Sequence, residues 1–367
     1  MSKVDIIKKY VSFPISRVHM ELTNICNFRC TFCPSSLMTR EKGYMTLELA
    51  KKVITDLKEM DIAEKITFHV MGEPMLHPQV FQIIAYARDM RCKVGLTTNG
   101  SLFTEENIDR LLALELDQIN ISLQTPDEDS FALRQAGRLT AEEYFQNILN
   151  FISLLIQNKG ETTIKLHLLN SKDRRLLVTP LDQGGIATQI PDLHSALAQW
   201  TKKLYGLEGA QNRIREERVL ERIKRVSLRK WNVLEVYPRI FLETYILDNW
   251  GNTLIQKPIK RARFGYCPAI ADHFSILWNG DLVLCCRDFD GHTAVGNLCH
   301  QELPNILNSP DLISILKGFQ RFRVIHPYCQ SCLGGTSYLQ LFLREAGSIL
   351  LWKFLKPYLY VTKRLFI

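Results

Sequence analysis

The sequence predicts an α/β protein, a partial (β/α)6 parallel barrel followed by a small C-terminal β-hairpin/helix domain. Three observations carry this expectation. Short apolar strands alternate with amphipathic helices at spacings of roughly 25–30 residues. Residues able to do chemistry recur just after those strands, the end where parallel α/β folds place their sites. Six of the ten cysteines lie beyond residue 260, around a hairpin signal.

The elements follow in order. Residues 1–14 are an N-terminal segment, and the barrel is expected over 15–258. Arg17–Thr23 alternates apolar and polar residues and reads as a strand. Leu47–Met60 has helical periodicity, Lys65–Val70 reads as a strand, and Gln79–Met90 as a helix. Lys93–Thr97 is a strand that runs into Thr-Asn-Gly, a turn signal. Glu105–Leu114 (helix), Gln118–Leu123 (strand), Ala141–Asn158 (helix) and Thr162–Leu169 (strand) complete the repeat. Asp182–Ile190 reads as loop and Gln211–Lys230 as a charged helix. Over 201–230, ten Lys and Arg stand against four Glu, best read as a solvated helix face rather than a docking patch. Strand signals return at Asn232–Val236 and Ile240–Leu247, and Asp248–Gly251 marks a turn. The stretch 171–231 matches no motif and is the expected seat of substrate specificity.

Composition narrows the class. With 367 residues, 46% hydrophobic and 23% charged, the chain reads as soluble and globular. The first apolar stretch is broken by Asp5, Lys8 and Lys9, and no run of about 18 apolar residues occurs, so neither signal peptide nor spanning helix is expected. Ten cysteines without a secretory signal argue for metal ligation in a reducing cytoplasm. The net charge of +8 suits anionic ligands but is too dispersed to predict nucleic-acid binding. The tail 337–367 ends in Ile349–Ile367, which has four basic residues and no acidic one. It fits a helix packed on the domain and a segment lying on a membrane surface equally well.

Two cysteine sets carry the chemistry. Cys26, Cys30 and Cys33 form C-x3-C-x2-C, so three thiolates on one loop can hold three irons of a cubane cluster and leave the fourth open. Met71-Gly72-Glu73-Pro74, Asn99, and Ser122 with Gln124 fall on the same expected rim. In the second set, Cys329 and Cys332 form a C-x2-C knuckle, and Asn279-Gly280-Asp281 predicts a hairpin that brings Cys285 toward Cys267. Four thiolates fit either zinc or a [4Fe–4S] cluster. Cys286 alternates away from Cys285 and, with Cys92 and Cys299, is expected to be a small buried hydrophobe.

In these motifs the chain resembles the radical S-adenosylmethionine (SAM) superfamily. The resemblance rests on Cys26–Cys33 with Phe32 before the last cysteine, on Met71–Pro74, on Thr97–Gly100 and on Ile121–Gln124. Downstream, Cys267, Gly280, Cys285, Gly296–Leu298, Cys329 and Cys332 resemble the Twitch/SPASM auxiliary-cluster domains, expected over 259–336. No cysteine follows Cys332, so the resemblance implies one auxiliary [4Fe–4S] cluster beside the SAM-binding one, two in all. It also implies that the Gly-Glu-Pro segment binds SAM, Gly72 and Glu73 meeting the amino group, with Pro74 beside them in the cofactor site. Asn99 and Ser122 would bond its ribose or carboxylate, Arg134 would pair with the carboxylate, and Phe32 would pack near the adenine. The implied reaction is SAM cleavage to a 5′-deoxyadenosyl radical that takes hydrogen from a substrate.

The layout is similar to that of members that oxidise aminocyclitol alcohols. The leading expectation is therefore a two-electron oxidation of a sugar, cyclitol or other small alcohol, with a flavodoxin- or ferredoxin-type electron donor. A peptide maturase is second, set back because only about 16 residues precede the first strand, too few for a leader-binding domain. A non-catalytic metal scaffold is third, disfavoured by the unsaturated three-cysteine loop. Glu243, Tyr245, Asp248 and Asp288 are weak candidates for the proton acceptor.

Overall fold

The computed structural model describes residues 6–171, 186–187, 189–207, 214–228 and 231–355. The expected barrel is there as one open sheet. Its strands are β1 (Arg17–Met20), β2 (Ile66–Phe68), β3 (Val94–Thr98), β4 (Gln118–Gln124), β5 (Thr163–Asn170), β6 (Asn232–Tyr237), β7 (Ile240–Ile246), β8 (His273–Ile276) and β9 (Leu282–Val283). The order is β6-β7-β5-β4-β3-β2-β1-β8-β9. Strands β1 to β5 and β7 run parallel, which gives the six barrel strands. β6 is an antiparallel edge strand on β7, a pairing the strand signals did not specify. β8 continues the sheet parallel to β1, and β9 turns back on β8 through Gly280. The C-terminal cysteine segment is thus tied into the same sheet.

Local sequence explains the elements. Thr46, Thr104 and Thr140 cap three helices by accepting the backbone N–H three residues on. Thr140 and Glu143 form a reciprocal capping box at the start of Ala141–Gln157. That helix buries Tyr144, Ile148, Phe151, Ile152 and Leu155 against the sheet. Each such side chain contributes about 1.5–3 kcal/mol through burial. Along β5, Ile164, Leu166 and Leu168 are buried and alternate with half-buried Thr163, Lys165 and His167. The apolar set joins the helix-packed core. The polar set faces the opposite side, the barrel lumen.

The two ends of the open sheet are joined by the segments that follow β7 and β9. Trp250 meets Phe289 edge-on at 6.2 Å, and Asp248 Oδ2 pairs with Arg287 Nε at 2.8 Å. These contacts bring the second cysteine set to the side of the lumen.

Several expectations change. A helix, Ile190–Tyr205, occupies the motif-free stretch and buries Leu193, Leu197, Trp200 and Leu204. Of the expected loop 182–190, residues 182–185 and 188 lie outside the described residues, and Ile190 already begins that helix. The charged helix shortens to Glu216–Ile223, which buries Val219 and Ile223 and turns its charges outward, so the solvated-face reading fits it. Cys92 is buried as expected, but Cys299 is exposed, its thiol 3.4 Å from the Asn279 carbonyl. Residues 356–367 of the tail lie outside the described residues. Before them Tyr338–Ile349 is a helix, and Leu350, Leu351, Trp352 and Phe354 beyond it are exposed. Among the described residues no helix is long and apolar enough to cross a membrane.

Candidate active site and second thiol cluster

The chain leaving β1 forms the three-cysteine loop. Cys33 N–H bonds the Cys30 carbonyl at 3.0 Å, and Phe28 N–H points at Cys26 Sγ at 3.4 Å. The loop is strapped from outside by residues that follow β4. Arg29 N–H bonds the Arg134 carbonyl at 3.2 Å, and Thr31 N–H the Leu133 carbonyl at 2.9 Å. Burial pushes all three thiols up, Cys26 to about 12, and Cys26 is raised further by its proximity to Cys30 and Cys33. Three adjacent buried thiols are costly as bare thiolates and well suited to a cationic centre that takes them deprotonated.

The Gly-Glu-Pro segment lies against this loop. Gly72 has φ +73°, and a Cβ there would strike the Thr23 carbonyl oxygen, so glycine is required on both counts. Glu73 N–H bonds the Ile25 carbonyl at 2.8 Å, and Pro74 opens a short turn. Both oxygens of Glu73 are used within the protein. Oε1 accepts from Thr98 Oγ1 at 2.7 Å and Met75 N–H at 3.1 Å, and Oε2 accepts from Asn99 N–H at 2.5 Å. Burial pushes this carboxyl up, and its donors oppose the shift. Glu73 therefore locks the β3 turn to the cysteine loop. Asn99 in turn donates to Asn27 Oδ1 at 2.9 Å and lies 3.7 Å from Cys26 Sγ.

Arg134 is not a surface helix arginine: it is 1% exposed. Its Nη1 donates to the carbonyls of Ser122 (2.6 Å) and Leu123 (3.1 Å) and to Gln124 Oε1 (3.0 Å). The guanidinium sits 4.9 Å over the Phe28 ring. Among the described residues its buried Nε has no hydrogen-bond partner, and the guanidinium lies in the field of Cys30, Cys26 and Cys33. Gln124 adopts φ +55°, and Tyr144 Oη donates to the Asn99 carbonyl at 2.7 Å, closing the rim. Phe32 packs with Ile186 and Leu247 beside Cys30. Cys26, Cys30, Cys33, Gly72, Glu73, Asn99, Ser122 and Arg134 thus come together on one rim.

The second set also gathers. Cys285 lies in the field of Cys267 and Cys332, and Cys329 in the field of the same two, while burial pushes both thiols up. The knuckle is held by the turn after β7. Asn252 Nδ2 donates to the carbonyls of Ser331 (2.9 Å) and Gly334 (3.1 Å), and Arg344 Nη2 to the Cys332 carbonyl at 2.7 Å. Gly251, at φ +66°, leaves room where a Cβ would come 3.1 Å from Cys332 Sγ. Four thiols gathered in a tight backbone cradle, wider apart than the donors of a single metal ion, fit a cluster site.

Between the two sets lies the polar lumen. Glu243 is fully buried, with Lys165 Nζ 2.9 Å from Oε1 and Tyr245 Oη donating to Oε2 at 3.1 Å. Asp248 is taken up by Arg287. Asp288 is fully buried and accepts from His292 N–H, Thr293 N–H and Thr293 Oγ1, which makes it a loop anchor.

His167 faces Glu243 and Tyr245 from β5, with His69 in range, but its Nε2 is 3.6 Å from Glu243 and has no hydrogen-bond partner among the described residues. Burial, and then Lys165 and His69, lower its pKa to about 3, so it is neutral when folded. The unfolded imidazole titrates near 6.5. Between those values the unfolded chain binds the extra proton, so this contribution is complete above about pH 6.5 and is lost as pH falls toward 3. Urea unfolding should therefore show a loss of ~2 kcal/mol from this group between pH 7 and pH 5, reduced in His167→Gln. An identical pH slope in the variant would refute the neutral, buried imidazole.

One residue of the site escaped the sequence reading. Glu21 is fully buried and forms a two-pronged pair with Arg40 at 2.6 and 2.5 Å. It also accepts from Met71 N–H at 3.2 Å and Trp278 N–H at 3.4 Å. It thereby ties β1, the Gly-Glu-Pro segment and the β8–β9 hairpin together. Its signal was an acidic residue inside an otherwise apolar strand end.

Comparison with known proteins agrees with this geometry. Residues 20–174 match the family model of the radical SAM superfamily, and residues 267–333 that of an iron–sulfur cluster-binding domain, SPASM. An uncharacterized protein of Methanocaldococcus jannaschii is 31% identical over 172 residues, 47% of this chain and 54% of that one. The S-adenosyl-L-methionine-dependent 2-deoxy-scyllo-inosamine dehydrogenase of Niallia circulans is 26% identical over 148 residues, 40% of this chain and 59% of that one. The chain spans little more than half the length of these relatives. In fold it is similar to Streptococcus suis SuiB, with a TM-score of 0.53 at 15% identity over 94% of this chain and 74% of that one. A radical SAM domain uses SAM with a [4Fe–4S] cluster, and the SPASM domain adds iron–sulfur ligation. The two thiol sets fit these groups.

Proposed function

This chain carries a radical SAM domain followed by an SPASM cluster-binding domain, and we propose that it oxidises a small alcohol, of the sugar or cyclitol class, by two electrons. When bound, SAM and the cluster on Cys26, Cys30 and Cys33 supply hydrogen-atom abstraction, and a cluster on Cys267, Cys285, Cys329 and Cys332 supplies a one-electron acceptor.

The chain's own residues do the rest. The carbonyls around Gly72 receive the SAM ammonium, and Glu73 holds Thr98 and Asn99 in place beside it. Asn99 and Ser122 hydrogen-bond the ribose or carboxylate. Arg134 offers its unpaired Nε to the carboxylate, a charge-assisted bond. Phe32 packs near the adenine. In the lumen, the substrate hydroxyl gives its proton to Tyr245 Oη as the phenol proton passes to Glu243 Oε2, 3.1 Å away. Loss of that proton, one hydrogen atom from carbon and one electron leaves the carbonyl product.

The observation that carries this reading is Glu243, a wholly buried carboxylate joined to Tyr245 and Lys165 inside the lumen. A buried acid beside a phenol suits the proton transfer that an alcohol oxidation needs. The test uses the anaerobically cluster-loaded chain with SAM, a reductant, and a panel of polyols and aminocyclitols. Polyols should stimulate 5′-deoxyadenosine formation and yield a carbonyl product. Glu243→Gln and Tyr245→Phe should each cut carbonyl formation about 100-fold while SAM cleavage continues. Stimulation by peptides alone, or wild-type carbonyl formation in both variants, would overturn it.

A further inference from the structure

Outside both cysteine sets, three metal-binding side chains converge at the side of the lumen. His19 on β1, His273 at the start of β8 and Cys286 have donor atoms within 4.8 Å of one another. From this convergence we propose a third metal centre, a mononuclear zinc site with two imidazoles and one thiolate. It goes beyond the alcohol-oxidation reading and does not depend on it.

The hydrogen bonds around the two imidazoles aim them correctly. Thr67 Oγ1 donates to the Val18 carbonyl at 3.3 Å and lies 2.6 Å from His19 Nδ1, so it accepts the Nδ1 proton. Arg17 Nε donates to His19 Nε2 at 3.3 Å, which independently requires a lone pair on that nitrogen. On the other side, His273 Nδ1 lies 3.1 Å from Asp272 Oδ2 and gives it a proton. Its Nε2 then faces Cys286 Sγ at 3.8 Å. Both rings thus carry an unprotonated Nε2 and are oriented through Nδ1 by a neighbouring oxygen, and that of His273 meets the cysteine directly. A carboxylate behind a ligating histidine is the usual outer shell of a zinc site.

Distances and chemistry fit the same ion. Zinc bonds of about 2.0–2.3 Å in tetrahedral geometry set donors roughly 3.3–3.7 Å apart, so the cluster must contract by at most about 1.5 Å. Small side-chain rotations supply that. Two nitrogens and a thiolate are a borderline-soft set, which suits zinc over magnesium or calcium. Three protein donors leave a fourth position for water or for an oxygen of a bound molecule. Arg17, which caps His19 Nε2, is partly exposed and can swing toward Asp272, 3.7 Å from its Nη2.

Cys286 follows Cys285 directly, yet the pair divides between two sites. Cys285 lies in the field of Cys286, Cys267 and Cys332, whereas the Cys286 thiol alone of these also meets His273 Nε2, at 3.8 Å. This division separates the proposal from a fifth ligand for the second cluster.

The experiment reconstitutes the full chain anaerobically with iron, sulfide and zinc chloride, removes loose metal, and measures both metals by mass spectrometry. Wild type should hold about one zinc per chain beside its iron. Cys286→Ser and His273→Gln should each lower zinc at least tenfold with iron unchanged. Cobalt(II) in place of zinc should give a thiolate charge-transfer band that Cys286→Ser abolishes. Zinc retained in both variants would overturn the site, as would iron falling in step with zinc, since Cys286 would then serve the cluster.

Discussion

Replacing Arg134 with methionine should weaken SAM binding at least tenfold and lower folding stability by about 3 kcal/mol or more, while iron loading at both sites persists. Methionine keeps much of the apolar stem over Phe28 but removes the charged donor to the Ser122 and Leu123 carbonyls, leaving Ser122 only its weaker 3.3 Å bond from Tyr144 Oη among the described residues. Two buried carbonyls lose a charged partner, which accounts for the stability loss. The affinity loss comes from the buried Nε, which has no hydrogen-bond partner among the described residues. Lysine at this position keeps the charge but not the planar fork, so Arg134→Lys should recover only part of both effects. Equilibrium dialysis with SAM and denaturant unfolding read the two quantities separately. Wild-type SAM affinity in Arg134→Met would refute the assigned contact.

Cys30→Ala should abolish SAM cleavage and reduce iron from about eight to about four per chain, leaving the second cluster's absorption intact. Two thiols cannot replace three on this loop, and Cys30 is also packed against Phe32 at the floor of the site. The converse change, Cys329→Ala, should remove the other irons and spare SAM cleavage. The separation follows from the structure. The first set is braced by residues 133–134 and the Gly-Glu-Pro turn, the second by Asn252 and Arg344. Loss of all iron in either variant would show that the sites fold as one unit.

Much of the barrel was legible because each strand advertises itself locally. β4 alternates apolar and polar residues along its whole length and β5 does so from Thr163 to Leu168, and Thr104 and Thr140 mark helix starts. The rim was legible for the same reason, since its motifs sit at strand ends. Ile190–Tyr205 escaped because Gln189 gives no side-chain cap, although its buried Leu193, Leu197, Trp200 and Leu204 follow helical spacing. The antiparallel pairing of β6 is a long-range choice that no local pattern encodes.

Buried charge was the harder part. Arg134 lies in a single short turn, too brief for periodicity to reveal which face is inside. Glu21 read as a polar step in a strand, and only the closing of the sheet brings Arg40, Met71 and Trp278 onto it. The lumen histidines come from four different strand regions, so their meeting depends on curvature rather than on spacing. Cys286 was read as an apolar filler because its neighbour His273 is reached only through the β8–β9 hairpin.

Two cubane clusters are expected, a SAM-cleaving one on the three-cysteine rim and a second on the downstream thiols. Anaerobic reconstitution with iron and sulfide, followed by metal counting and product analysis with SAM and a reductant, tests it most directly. About eight irons per chain and reductant-dependent release of methionine and 5′-deoxyadenosine are expected. Zinc at both thiol sets with SAM left intact would contradict it.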